Sequence, residues 1–281
     1  QVSANSIAVN LMLSIFKLIA GLLASSGAMI SDAIHSASDV FSTIIVIIGV
    51  KISGKASDED HPYGHDRFEC VASIILAILL GVTGVGIGLT GVQKLIAGHY
   101  DTLAIPGILA LAAAVISIVV KEIMYWYTRN AAKKINSGAL MADAWHHRSD
   151  ALSSVGSFVG IFGARMGFPM LDPLASVVIC LFVVKAAVDI FRDAISKMTD
   201  RSCDQKTVNE MHDCIMNIRG VEGIDLLKTR SFGSKYYVDI EISADGNKKL
   251  WETHAIAENV HQAIEHQFPL VKHCMVHVNP A

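Results

Sequence analysis

The chain has 281 residues, of which 52% are hydrophobic and only 17% charged, with a net charge of -3. A soluble domain carries closer to about 25% charged residues, so the composition points to a membrane protein. The small net charge and the lack of any basic stripe exclude nucleic acid as a partner.

The apolar residues are concentrated in positions 1–200, and positions 201–281 hold a dense mix of Lys, Asp, Glu and His. We therefore expect two domains, 1–200 in the membrane and 201–281 outside it. The chain opens at Gln1, which reads as a trimmed N-terminus, and no small-residue cleavage pattern follows the first apolar run. The five cysteines are scattered without a CxxC pair, which suggests reduced thiols rather than a disulfide framework.

Six apolar segments are long enough to cross a bilayer, since a helix needs about 20 residues to span its hydrocarbon core. They run over Ala4–Ala24, Met29–Ile52, Phe68–Ile96, Leu103–Trp126, Gly138–Phe162 and Leu171–Ile195. Gly81, Gly84, Gly86 and Gly88 give the third a surface suited to close helix contacts. Lys51, Lys55 and Arg67 follow span two, Arg129, Lys133 and Lys134 follow span four, and Arg192, Lys197 and Arg201 follow span six. The opposite loops carry few cations, so both termini are expected in the cytoplasm.

Ionisable residues inside spans are expensive and normally face a partner, a wet cavity or an ion. The second span contains Asp32, His35 and Asp39, and the fifth contains Asp143, His146, His147, Arg148 and Asp150. His35 and Asp39 lie four residues apart, on one helix face and separated by about 6 Å along the axis. His146 and Asp150 repeat the spacing. Two imidazoles and two carboxylates from two helices form a nitrogen–oxygen set suited to a borderline dication such as Zn²⁺. Asp32 and Asp143 are either structural, second acceptors for the ligands or proton carriers. His147 points about 100° away from His146 and reads as a non-ligand. Lys185 and Asp189, in span six, read as an i,i+4 ion pair.

Between spans two and three, Asp58, His61 and His65 lie in a polar loop that is either a small metal site or a solvated turn. The C-terminal domain reads as a helix over Gln205–Asn217, strands over Val221–Arg230 and Tyr236–Ser243, a helix over Trp251–Phe268 and a strand over His273–Val278. This is a small αββαβ domain of split βαβ type. Its six histidines, His212, His254, His261, His266, His273 and His277, are either solvated or part of a metal-sensing site.

The stretches Ser31–Asp39, Asp60–His65 and His146–Asp150 together resemble the cation diffusion facilitator family, over essentially the whole chain. The resemblance implies an α-helical membrane protein with six transmembrane helices, plus a small cytoplasmic α/β domain (αββαβ, metallochaperone-like). It implies efflux of a divalent metal by proton antiport with alternating access, not enzymatic catalysis. The implied transport ligands are His35, Asp39, His146 and Asp150, a set that accompanies zinc, with Fe²⁺, Mn²⁺, Co²⁺ and Cd²⁺ as alternative cargoes. The family's loop site maps onto Asp58, His61 and His65. Its tail ligands map onto Asp225, Glu241, His254, His277 and Asn279, where only the two histidines keep the family's residue type. Arg67 and Asp200 fall where the family places a dimer-stabilising ion pair. A homodimer in a lipid membrane, most simply the bacterial inner membrane, with protons as counter-ion, is the implied assembly. A metal-gated channel or passive permease and a membrane-anchored metal sensor are the competing readings.

Overall fold

The computed structural model describes residues 2–23, 27–97, 108–166, 168 and 171–281. In helical residues 17, 20–23, 27–38, 41, 108–111, 113–114, 153, 156–157, 160–165, 171–173 and 175–176 it describes the backbone only. The chain divides into two compact units: residues 1–56 with 68–194, and residues 57–67 with 195–281.

The first unit is built from helices α1 (Val2–Leu23), α2 (Gly27–Ser53), α3 (Phe68–Ala97), α4 (Ile108–Lys134), α5 (Gly138–Arg165) and α6 (Leu171–Met198). At about 1.5 Å per residue each is long enough to cross a bilayer core. Among the described residues, α3 has the most continuously apolar composition, with a mean hydropathy of 2.5 over an 18-residue window. Large apolar side chains such as Val82, Ile123, Leu181 and Phe182 stand exposed, as a lipid-facing surface requires. Cations sit in the last turns of α2, α3, α4 and α6, where the helix dipole favours them.

Small residues set the helix spacing. A Cβ on Gly84 would lie 2.8 Å from Val183 of α6, and one on Gly88 would collide with Cys180. Gly49 meets Ala72 in the same way between α2 and α3. These glycines let backbones approach where lipid supplies no hydrophobic drive. Val46, Ala72, Leu76, Ala132, Ala139 and Ala142 fill the small-residue core nearby.

The fourth span is displaced from its expected bounds: α4 continues eight residues past Trp126 to Lys134. Its added turns are amphipathic rather than apolar, which a hydropathy reading truncates. Asn136, with φ of 53°, turns the chain, and the Ser137 hydroxyl accepts from the Leu140 amide at 3.2 Å to cap α5. This fixes the register of every polar residue on α5. The expected ion pair between Lys185 and Asp189 is absent among the described residues. Both are exposed and line a cleft of about 600 Å³ with Trp145 and Arg148.

The second unit comprises α7 (Gln205–Met216), β1 (Gly223–Phe232), β2 (Lys235–Ala244), α8 (Leu250–Gln267) and β3 (Val271–Pro280). The sheet order is β1-β2-β3, with β1 and β2 antiparallel and β2 and β3 parallel across the α8 crossover. Val238, Ile240 and Ile242 alternate inward and pack against Met211, Ile215, Val260 and Ile264 of the helices. Tyr237, on the other face, is also buried, at 7% exposure. It packs against Phe232 and against Tyr63 of the 57–67 segment, with ring centroids 5.0 and 6.1 Å away.

Segment 57–67 is fastened to this sheet by polar contacts. The Tyr63 carbonyl accepts from the Tyr237 hydroxyl at 3.2 Å and from Lys272 Nζ at 3.1 Å. Lys272 also pairs with Asp66. Arg67 pairs with Asp200, a residue held at φ of 61° just beyond the end of α6, and lies 4.9 Å over the Phe232 ring. Gly64, at φ of 92°, passes so near Lys272 that a Cβ would lie 2.6 Å from Nζ.

Candidate metal centre

Asp39 projects from α2, and His146 and Asp150 project from consecutive turns of α5. All three are buried, at 2%, 7% and 7% exposure. One donor atom from each falls within a set whose members are all within 4.8 Å of one another. His146 Nε2 lies 3.3 Å from Asp39 Oδ1. The structure brings together these three of the four residues that the spacing singled out. The backbone of His35 lies in α2, one turn before Asp39, and its side chain lies outside the described residues, as does that of Asp32.

The surrounding contacts hold these side chains in place. Thr43, one turn after Asp39, donates to Asp143 Oδ1 at 3.3 Å, linking α2 to α5. His147 is fully buried, with Nε2 3.7 Å from Asp143 Oδ2 and no hydrogen-bond partner among the described residues. It is grouped with no other donors as a metal cluster. Asp143 therefore serves as an inter-helix acceptor.

Lys121 of α4 was missed by the sequence reading. Its Nζ donates to Asp39 Oδ2 at 2.6 Å and to Asp150 Oδ2 at 2.8 Å, and the residue is 1% exposed. The available signal was a single ammonium between Val119-Val120 and Ile123-Met124. Close to Trp126, it passes for an end-of-span lysine that reaches toward water. With α4 extending to Lys134, Lys121 lies instead about 20 Å from the helix end. Its helix is locked to α5 next to the site: Arg148 lies 4.4 Å over the Tyr125 ring and 3.6 Å from Glu122, and Tyr125 meets Trp145 at 5.7 Å.

A second cluster forms within segment 57–67. Asp58 Oδ1 lies 3.4 Å from His61 Nδ1 and Oδ2 lies 3.5 Å from His65 Nε2, with the imidazole centroids 4.4 Å apart. Asp58 Oδ1 also accepts from the His61 amide at 2.9 Å, and the Gly64 amide donates to the His61 carbonyl at 2.9 Å. This turn folds the three donors onto one side, within 4.8 Å of each other. The donors converge as a small metal site would need, while Asp58 and His61 remain open to solvent.

The tail residues are less gathered. A β-bulge between Ile224 and Leu226 redirects Asp225, and Glu241 pairs in register with His277. Asn279 Nδ2 donates to Asp225 at 2.9 Å and to Glu241 at 3.5 Å, so an amide occupies the space between the two carboxylates. His254 and His277 line one cleft of about 460 Å³ with Asn279. Asp225, Glu241, His254 and His277 supply no set of three donors within 4.8 Å. His261 and His273 face Glu265 instead, at 3.3 and 3.8 Å. All five cysteines are free thiols. Burial, with the Glu265 and Asp239 carboxylates nearby, pushes the Cys274 thiol up to about 12, so it offers no thiolate.

The family model for the cation efflux transmembrane domain matches residues 4–199, and that for the cation efflux protein cytoplasmic domain matches residues 203–281. The protein named uncharacterized transporter MJ0449 of Methanocaldococcus jannaschii is 38% identical over 274 residues, 98% of this chain and 95% of that protein. Metal tolerance protein C1 of Arabidopsis thaliana is 34% identical over 96% of this chain, which spans 60% of the plant protein. Manganese efflux system protein MneS of Bacillus subtilis is 33% identical over 98% of this chain and 93% of its own length. A six-helix unit with buried carboxylates and imidazole, followed by an αββαβ unit, matched along its length in these proteins, is a multi-pass metal cation transporter of the cation diffusion facilitator family.

Proposed function

We propose that this protein exports a divalent metal cation, zinc foremost, from the cytoplasm in exchange for protons. The observation that carries the reading is the convergence of Asp39, His146 and Asp150 from two helices inside the first unit. His35, the fourth donor expected from the sequence, would complete a nitrogen–oxygen set of the kind that suits a tetrahedral dication. Carboxylates and neutral imidazoles bind the cation, and protons arriving from the far side compete for the same lone pairs and promote release. The helices carry the site between inward-open and outward-open states, with the cation and protons biasing the two populations.

Asp58, His61 and His65 are proposed as a cytoplasmic site that holds its metal rather than passing it on. Asp225, Glu241, His254 and His277 are proposed as a weaker tail site through which cytoplasmic metal favours transport. Residues 1–200 then act in the membrane, and 201–281 report metal level and join two copies of the chain. The membrane is proposed to be the bacterial inner membrane, with both termini cytoplasmic.

Manganese is the second reading. It is favoured by the likeness to MneS and by the two carboxylate oxygens at the site, which suit harder cations. Flux into proteoliposomes across a cation panel, with and without a pH gradient, decides. Zinc uptake above manganese, accelerated by the gradient, supports zinc–proton exchange. Flux indifferent to the gradient identifies a passive permease or channel, and absence of flux identifies a sensor. Asp150→Ala is expected to abolish flux in protein that remains folded, and near-normal flux would remove the site.

A further inference from the structure

Lys121 is a buried cation that the exchange of metal for protons leaves without a role. Its ammonium lies on the same two carboxylates that the proposed cargo needs, 2.6 Å from Asp39 and 2.8 Å from Asp150. Zinc–carboxylate oxygen bonds are about 2.0–2.2 Å long, so a dication held by both acids would sit within a few ångströms of Nζ. At that separation, in a site screened from water, the two cations repel strongly.

The charge balance points the same way. With Asp39 and Asp150 ionised and His146 neutral, Lys121 leaves the cluster with one uncompensated negative charge. A dication added beside a resident lysine would leave an excess positive charge. A dication in place of the lysine leaves the cluster neutral, the arrangement that burial favours.

The lysine also has somewhere to go. Its four-carbon stem is flexible and its ammonium carries three donors. Ser117, one turn earlier on α4, is buried, and its hydroxyl has no hydrogen-bond partner among the described residues. The Ser149 hydroxyl, adjacent to Asp150, is in the same condition. Two unsatisfied hydroxyls thus lie on the helices that bear Lys121 and Asp150, one a turn from the lysine and one next to the acid in sequence.

We propose that Lys121 is a tethered cation that competes with the transported metal for Asp39 and Asp150, leaving them when metal enters and returning when metal departs. This rests on the transport reading above and adds to it a residue that sets affinity. The lysine holds metal affinity low enough for release and keeps the two acids paired while the carrier returns without cargo. No covalent bond changes; one charge pairing replaces another.

The test uses the full chain in lipid nanodiscs and proteoliposomes, with Zn²⁺ and Mn²⁺ as probes. Occupancy of the transmembrane site is read as the difference in bound metal from Asp150→Ala. Lys121→Met is expected to lower the dissociation constant of that site by at least roughly tenfold. It should also lower both KM and maximal net flux while metal-for-metal exchange persists. A purely structural lysine would instead leave affinity unchanged or weaken it, and either result overturns the inference.

Should Lys121→Met fail to fold, acylation of Lys121 in the wild-type protein by a small neutral amine-reactive acyl donor such as acetic anhydride, which releases acetate, gives a second measurement, followed by mass spectrometry. Labelling that rises with metal occupancy supports displacement, and labelling unchanged at saturating metal refutes it. Wild-type protein that binds no more metal than Asp150→Ala would sink the transport reading itself. Normal wild-type binding with no gain in Lys121→Met would sink only the role of the lysine.

Discussion

Two triads, Asp39–His146–Asp150 and Asp58–His61–His65, draw on the same two side-chain types and close to the same 4.8 Å limit, yet they are built in opposite ways. The first takes its donors from two long helices, with a third helix adding an ammonium, and all four residues are buried. The second takes all its donors from one short loop, with Asp58 and His61 reaching solvent. A site that must open to either side is best assembled from elements that can move relative to one another. A site that must retain its ion is best assembled from one rigid turn. On the proposed reading, similar donor types serve both cargo and resident metal, and the way the donors are connected tells the two apart.

The sharpest way to break that comparison is Asp39→Asn, which removes a carboxylate shared by the cargo and Lys121. Flux in proteoliposomes is expected to vanish, and a residual half of normal flux would show the buried triad to be dispensable. His65→Ala is expected to remove one bound metal per chain, measured by elemental analysis, with transport slowed but still present. Complete loss of flux there would make the loop triad part of the conduction route.

Ile264→Ala opens a cavity in the core of the second unit and is expected to destabilise it by about 2–5 kcal/mol. Because segment 57–67 folds with that unit, metal held by the loop should be lost as the tail melts, read by calorimetry against metal release. Lys272→Ala removes a half-exposed pair with Asp66 and should cost about 1 kcal/mol or less, read as a small fall in the melting temperature of the same transition.

The smallest expected effect concerns acid. Asp204 caps α7 by accepting from the Thr207 amide and hydroxyl at 3.0 and 2.7 Å, and these bonds hold its carboxyl below the usual range. A carboxyl lowered on folding contributes stability that is complete above its unfolded value of about 3.9 and is lost as pH falls through the lower folded value. Asp204→Asn should flatten that acid limb of the melting temperature, and an unchanged limb would assign it elsewhere.

The helices and strands were legible because their periodicities are strong. The strands of the tail fall within one or two residues of expectation, and the one wholly unforeseen boundary is the amphipathic end of α4. The pairing of His146 with Asp150 was legible because a His and an Asp one turn apart need only helix geometry to share a face, whereas the approach of Asp39 depends on how α2 packs on α5. Lys121 was not, since its meaning depends on which helix packs beside α2 and α5, information that no local pattern contains. The bulge at Asp225 and the amide of Asn279 between two acids were equally hidden, because both arise from register across three strands. The burial of Tyr237 was hidden for a further reason: the covering residue, Tyr63, comes from 174 positions earlier in the chain.

The membership of segment 57–67 has a mechanical consequence. The backbone passes between the two units three times, at 56–57, 67–68 and 194–195, rather than once. Bodies joined by one thread can spin freely about it, whereas bodies joined by three are geared. The three passages adjoin the ends of α2 and α3 and fall within α6, and α2 is the helix that bears Asp39.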